Sequence, residues 1–179
     1  MTQTEILFNG KWLRLCRRGH WEFAERTNPG GAVIVIAVTP EDKILFVEQW
    51  REAIRARAIE MPAGLIGDDP GAAGEHALEA ARRELAEETG YGCGRVAYYM
   101  TGPSSSGMST ETIAFVRAYD LVRLHAGGGV AGEDITVHEV PRADAAQWLC
   151  RKMAEGYSID PKLFAGLYFL DHGAALFEG

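Results

Sequence analysis

Cysteine is scarce in this chain of 179 residues: Cys16, Cys93 and Cys150 are odd in number, far apart and without a C-x-x-C pair. That spacing argues against a disulfide framework and against a thiolate zinc site, and free thiols in a reducing compartment, the cytoplasm, are the expectation. Basic residues are in deficit as well, 18 Lys and Arg against 25 Asp and Glu, for a net charge of -7. Such a balance offers no basic stripe to neutralise a phosphate backbone, so nucleic acid is not an expected partner. No apolar run approaches the ~20 residues that a bilayer crossing needs. The opening "MTQTEILFNG" also lacks the apolar core of a secretory leader, so neither membrane insertion nor secretion is expected.

What remains is an ordinary globular composition, 47% apolar and 24% charged, at a length that suits one compact domain. "KWLRLCRRGHWEFAERT", "AVIVIAV" and "KILFVEQW" read as strands, with "NPGG" as a loop and "TPEDK" as a hairpin turn. After "EMPAGLIGDDPGAAG" the period changes: Leu78, Ala81 and Leu85 form an i, i+3, i+7 stripe that ends near Gly90, a natural C-cap. Further strands are expected at "RVAYYMT", "TIAFVRAY" and "DITVHEVP", separated by the loops "GPSSSGMST" and "HAGGGVAGE". "ADAAQWLCRKMAEG" and "DPKLFAGLYFLDHGAALF" carry apolar residues at helical spacing, the second opening on Asp160 as an N-cap with Pro161 at the first helical position. The order of elements is that of an α/β chain.

One helix carries an unusual load. In "EHALEAARRELAEETGYG", Glu84, Glu87 and Glu88 are spaced i, i+3 and i+4, which puts three carboxylates on one narrow face bordering the buried stripe. Held near the protein body, two such charges about 4 Å apart repel by on the order of several kcal/mol. Arg82 and Arg83 are possible partners on a solvated face. A hard divalent cation resolves the repulsion differently, because Mg²⁺ is held by carboxylates together with water and substrate phosphate.

Glu75, seven residues and then "RELAEETGY" resembles the signature of the Nudix hydrolases, G-x5-E-x7-R-E-U-x-E-E-x-G-U with U a bulky apolar residue. Glu75, Arg83, Glu84, Leu85, Glu87, Glu88, Gly90 and Tyr91 match at the right spacing. The motif's first glycine does not: Asp69 stands there, so Gly64 of "EMPAG" is taken as that glycine and "IGDDPGAAG" as including a five-residue insertion. The resemblance implies a Nudix fold, an α/β/α sandwich with a mixed central β-sheet. An N-terminal antiparallel strand segment, residues 1–30, would precede the hydrolase domain, residues 31–179, within the same domain. It also implies that Glu84, Glu87 and Glu88 with the backbone carbonyl of Ala63 ligate Mg²⁺ or Mn²⁺, and that Arg83 orients a carboxylate.

The extra strand-rich N-terminus looks like that of the nucleotide-sugar pyrophosphatases of the family, in which it builds a homodimer. The implied reaction is metal-dependent hydrolysis of the diphosphate link of a nucleoside diphosphate sugar, ADP-ribose to AMP and ribose 5-phosphate. Two details keep a GDP-mannose-type substrate open. Ser106 stands where the ADP-ribose enzymes usually show proline, and "AGGGVAGEDITVHEVP" resembles the GDP-mannose hydrolases. A nucleotide sensor without activity is a further alternative, against which all three glutamates are present.

The resemblance to the nucleotide-sugar enzymes implies a general base on a loop outside the helix, for which Glu133 is the candidate, with Asp134 as its competitor and Glu111 as a supplementary ligand or water-positioning group. "VEQWREAI" resembles the family's Q-Y-R segment, which makes Arg51 a diphosphate clamp, with pairing to Glu52 or Glu60 as its alternative. "WEFAERT" resembles the strand that in the dimeric nucleotide-sugar enzymes contributes an aromatic to base stacking, which makes Trp21 and Phe23 candidates for that role, with plain core positions as the alternative.

Overall fold

The computed structural model describes residues 3–27, 30–67, 74–130 and 132–178. In chain order the elements are β1 (Glu5–Asn9), β2 (Leu13–Arg18), β3 (Trp21–Arg26), β4 (Ala32–Ala37), β5 (Lys43–Arg51), β6 (Ala56–Glu60), β7 (Ala63–Leu65) and α1 (Ala77–Thr89). They continue with β8 (Tyr91–Pro103), β9 (Thr112–Arg123), β10 (Thr136–Pro141), α2 (Ala145–Ala154), β11 (Ser158–Ile159) and α3 (Lys162–Phe177). Asp69 and most of the expected insertion fall at 68–73, outside the described residues.

The period-2 pattern of the central strands decides the layers. Along β4, Val33, Val35 and Ala37 face one side and Ile34 and Ile36 the other, all buried. A strand apolar on both faces needs cover on both. α1 supplies the first cover, where Ala80, Ala81 and Leu85 pack with those three residues and with Ala114, Val116 and Ala118 of β9. α2 and α3 supply the second through Leu149 and Leu163, packed on Ile34, Ile36, Phe46 and Phe115. The expected α/β/α sandwich is present.

The mixed sheet is present as two four-stranded sheets, ordered β7-β4-β9-β8 and β10-β5-β6-β11. β4 pairs parallel with β9 and antiparallel with β7, and β11 pairs parallel with β6. The "TPEDK" turn closes, with Thr39 N–H donating to Lys43 O at 2.8 Å. Its strands then part after one bridge, Val38 to Ile44, because both edges of β4 are taken by β7 and β9 and both edges of β5 by β10 and β6.

The third sheet, β1-β2-β3, is antiparallel and attaches along β3, where Ala24 exchanges backbone hydrogen bonds with Met108 and Thr110 at 2.8 and 3.1 Å. It leaves Ile6, Phe8, Trp12 and Trp21 more than half exposed. α3 starts one residue later than its sequence suggests, yet the Asp160 side chain still accepts from Lys162 N–H at 2.9 Å. Among the described residues no helix is long and apolar enough to cross a membrane.

Candidate active site

Burial of Ala81 and Leu85 fixes the rotation of α1, and that rotation turns Glu84 and Glu88 toward β7. Both are buried, at 9% and 4% exposure. Glu84 lies against Gly64: a Cβ at that position would stand 1.8 Å from its Oε1, so the backbone at 64 must be glycine for the carboxylate to sit there. Glu88 Oε2 accepts from Ala63 N–H at 2.9 Å. Burial pushes the Glu88 carboxyl up to about 8; the Ala63 N–H opposes this, the Glu84 and Glu133 carboxylates add to it, and Arg51 draws it down.

Arg83 answers part of the repulsion that the sequence poses. Its Nε and Nη2 donate to the two Glu75 oxygens at 3.1 Å each, and Nη1 donates to Glu84 Oε1 at 2.8 Å and Glu87 Oε2 at 3.3 Å. Nη2 also reaches Leu65 O at 3.1 Å. Chiefly through Glu75 the guanidinium is held more firmly charged, and Arg83 in turn holds the Glu75 carboxyl below its usual range. The arginine expected to orient one carboxylate touches three. Arg82 plays no such part, donating to the carbonyls of Cys93 and Gly94.

Above this helix end lies a cleft of about 500 Å³. Ala63, Glu84, Glu88, Glu111, Glu133 and Arg51 all line it, so six of the ten expected site residues meet there. Glu87 and Arg83 do not line it. Asp134 faces away and accepts from Arg57, although it neighbours Glu133 in sequence. Glu133 Oε2 accepts from Val130 N–H at 2.9 Å. Arg51 donates through Nε to Glu60 Oε1 at 2.8 Å and through Nη2 to Glu60 Oε2, the ion pair expected as the alternative to a clamp, on the wall of the cleft. Glu111 is paired with Arg26.

Trp21 and Phe23 do not reach this cleft. They line a separate hollow with Arg18 and Ser106, Phe23 buried and Trp21 donating to Gly107 O at 3.3 Å. Conversely, Arg26, Gln49, Asp160 and Lys162 line the cleft without having been singled out for it. Of these, Asp160 and Lys162 carried a signal, the Asp-Pro-Lys start of a helix, but its reading as a cap explained it fully.

Among the described residues no three His, Cys, Asp or Glu side chains already converge to hold a metal ion. Arg83 engages Glu84 and Glu87, and the Ala63 N–H engages Glu88. The donor set nevertheless suits a hard divalent cation: it is oxygen throughout, it is rich in carboxylates, and burial raises the Glu88 carboxyl, a shift that a neighbouring cation would oppose.

An anionic, oxygen-lined cleft with arginines on its wall, set in an α/β/α sandwich, is the frame of a hydrolase acting on diphosphate bonds. The chain belongs to the NUDIX domain family, whose pattern matches residues 28–164. Nudix hydrolases in general depend on divalent metal ions. Over 159 residues the chain is 31% identical to a Bacillus methanolicus protein named methanol dehydrogenase activator, a match covering 84% of this chain and 82% of that protein. It is 36% identical over 91 residues to the ADP-ribose pyrophosphatase of Bacillus subtilis (strain 168), covering 51% of this chain and 46% of that one. With the GDP-mannose pyrophosphatase of Enterobacter sp. (strain 638) it shares 34% identity over 149 residues, 79% of this chain and 72% of the relative. A crystal structure of an ADP compounds hydrolase has the same fold, with a TM-score of 0.70 at 17% identity over 97% of this chain and 92% of that one.

Proposed function

We propose that the protein hydrolyses the diphosphate link of a nucleoside diphosphate sugar, ADP-ribose to AMP and ribose 5-phosphate, with Mg²⁺ (or Mn²⁺) held by Glu84, Glu87, Glu88 and the Ala63 carbonyl. What supports the reading most is a single cleft lined by Glu84, Glu88, Glu133 and Arg51. Glu87, a third exposed, would leave Arg83 to join the other two. When bound, the cations supply charge neutralisation on the diphosphate oxygens and make water more acidic.

The protein's own groups carry the rest. Glu133 takes a proton from water as the water oxygen bonds to phosphorus. The bond from that phosphorus to the bridging oxygen breaks, and the bridging oxygen leaves on the second monophosphate. Arg51, oriented by its fork with Glu60, clamps the diphosphate, and Arg83 keeps Glu84 aimed. Glu111, with its charge matched by Arg26, assists as a water-positioning group. Asp134 is engaged by Arg57 outside the cleft, which favours Glu133 over it as base.

The N-terminal segment, residues 1–30, serves as a dimerisation surface, and the hollow that half-exposed Trp21 and buried Phe23 line apart from the cleft takes the base where the nucleotide extends beyond the diphosphate. The free thiols and the acidic balance fit the cytoplasm and a small-molecule substrate rather than nucleic acid.

The breadth of the match to a GDP-mannose pyrophosphatase, 79% of the chain against 51% for the ADP-ribose enzyme, favours GDP-mannose as the second reading. Turnover of ADP-ribose, GDP-mannose, UDP-glucose, diadenosine polyphosphates and 8-oxo-dGTP with Mg²⁺, ranked by kcat/KM, tests both. ADP-ribose should rank first. GDP-mannose in first place would select the second reading, and nucleotide binding without any turnover would select a sensor.

A further inference from the structure

The residue read as the general base is adjacent in sequence to one that leaves the cleft, and the second is tied to an ionic chain that runs inward to buried Glu48. Arg57 of β6 donates through Nη2 to Asp134 Oδ2 at 2.5 Å and through Nη1 to Glu48 Oε1 at 3.3 Å. Glu48, only 7% exposed on β5, meets His138 Nε2 of β10 at 2.9 Å through its other oxygen. The His138 ring rests on Trp148 of α2, with centroids 4.9 Å apart.

The sheet register explains why the chain ends on Asp134. Thr136, the first residue of β10, pairs with Glu48, and Arg57 pairs with Trp50 on the far side of β5. Asp134 lies just before β10, and its side chain reaches across β5 to β6. At the other end of the same connection, Gly128 and Gly129 N–H donate to the carbonyls of Glu88 and Glu87 at 2.8 and 3.0 Å. The segment bearing Glu133 is therefore referenced to the helix of the three glutamates on one side and to β6 on the other.

We propose that Arg57 is a positioning residue for hydrolysis: by holding Asp134 it fixes how far Glu133 reaches into the cleft. The proposal rests on Glu133 being the base. Asp134 is 78% exposed at its side chain, and an ion pair so solvated contributes little to stability, so its loss should be felt in the geometry of Glu133 rather than in the fold.

The test uses the full chain with Mg²⁺ and whichever of ADP-ribose and GDP-mannose is turned over faster. Asp134→Asn and Arg57→Gln should each lower kcat about tenfold with KM within about twofold, since a misplacement of about 1 Å can cost up to a hundredfold, and Asp134→Asn should leave the thermal midpoint unchanged. Arg57→Lys, which keeps a cation there, should retain most of the wild-type kcat. In a Glu133→Gln background neither Asp134→Asn nor Arg57→Gln should cost anything further.

Wild-type kcat in Asp134→Asn overturns the proposal, as does a full additional tenfold loss in the Glu133→Gln background. Should Arg57→Gln fail to fold through its bond to buried Glu48, Asp134→Asn decides alone, because it leaves that bond in place. Wild-type kcat in Glu133→Gln by itself overturns the assignment of the base, a result separate from either of the others.

Discussion

Gly64 shows how one missing side chain can matter more to chemistry than to stability. A methyl group there would strike the Glu84 carboxylate, the far end of a flexible side chain that can swing aside at small cost. Gly64→Ala should therefore leave the thermal midpoint within about 2 °C while kcat falls by at least about tenfold, if Glu84 acts where it lies. Equal activity with an intact fold would remove Glu84 from the site. Glu88 makes the complementary case, since its carboxyl is buried in a place that opposes its charge. Glu88→Gln should abolish Mg²⁺-dependent turnover and leave the metal-free protein at least as stable as wild type, as thermal melts in chelator would read. Retained turnover would refute the metal assignment. The identities of both glutamates could be read from the motif. Their burial, and the turn of Arg83 onto three carboxylates, depend on where β7 lies and could not.

At the scale of the element, α1 and α3 are fixed by different means. α1 ends at Gly90, whose φ of 75° and contact with the His125 carbonyl leave no room for a side chain, and this stop was readable because a left-handed C-cap favours glycine. The segment after α3 is fixed by a cluster that no local pattern announces. Glu178 accepts from the hydroxyls of Tyr99, at 3.0 Å, and Tyr119, and from Arg95 Nη1 at 2.7 Å. The Tyr119 hydroxyl first, and then Arg95, hold its carboxyl below the ordinary value of 4.5. A carboxylate with a lowered folded pKa stabilises fully above its unfolded value, and that contribution disappears as pH falls through the folded one. Glu178→Gln should thus lower the thermal midpoint at pH 7 by about 2–4 °C, with the difference shrinking below about pH 4. A difference that stays constant down to pH 3 would show that the carboxylate charge has no part in it.

For the whole molecule, the sheet β1-β2-β3 and its first turn leave Ile6, Phe8, Trp12 and Leu13 exposed, at 49% to 68%. With the proposed homodimer built on this surface, Phe8→Glu combined with Trp12→Glu should convert dimer to monomer in light scattering. A wild-type monomer, or a dimer that survives both changes, would overturn that use of the sheet. Sequence by itself determined the class of chemistry, because metal-holding carboxylates need fixed spacing on one helix and spacing is a property of the chain. The layers were legible only through the family resemblance which that spacing carries; their physical reason, a β4 buried on both faces, came with the structure. Which carboxylates share a cleft was decided by tertiary structure alone. Glu111, Glu133 and Glu88 come from separate loops and a helix, while the neighbours Glu133 and Asp134 part company, and only the packing of sheets brings distant side chains together or turns adjacent ones away.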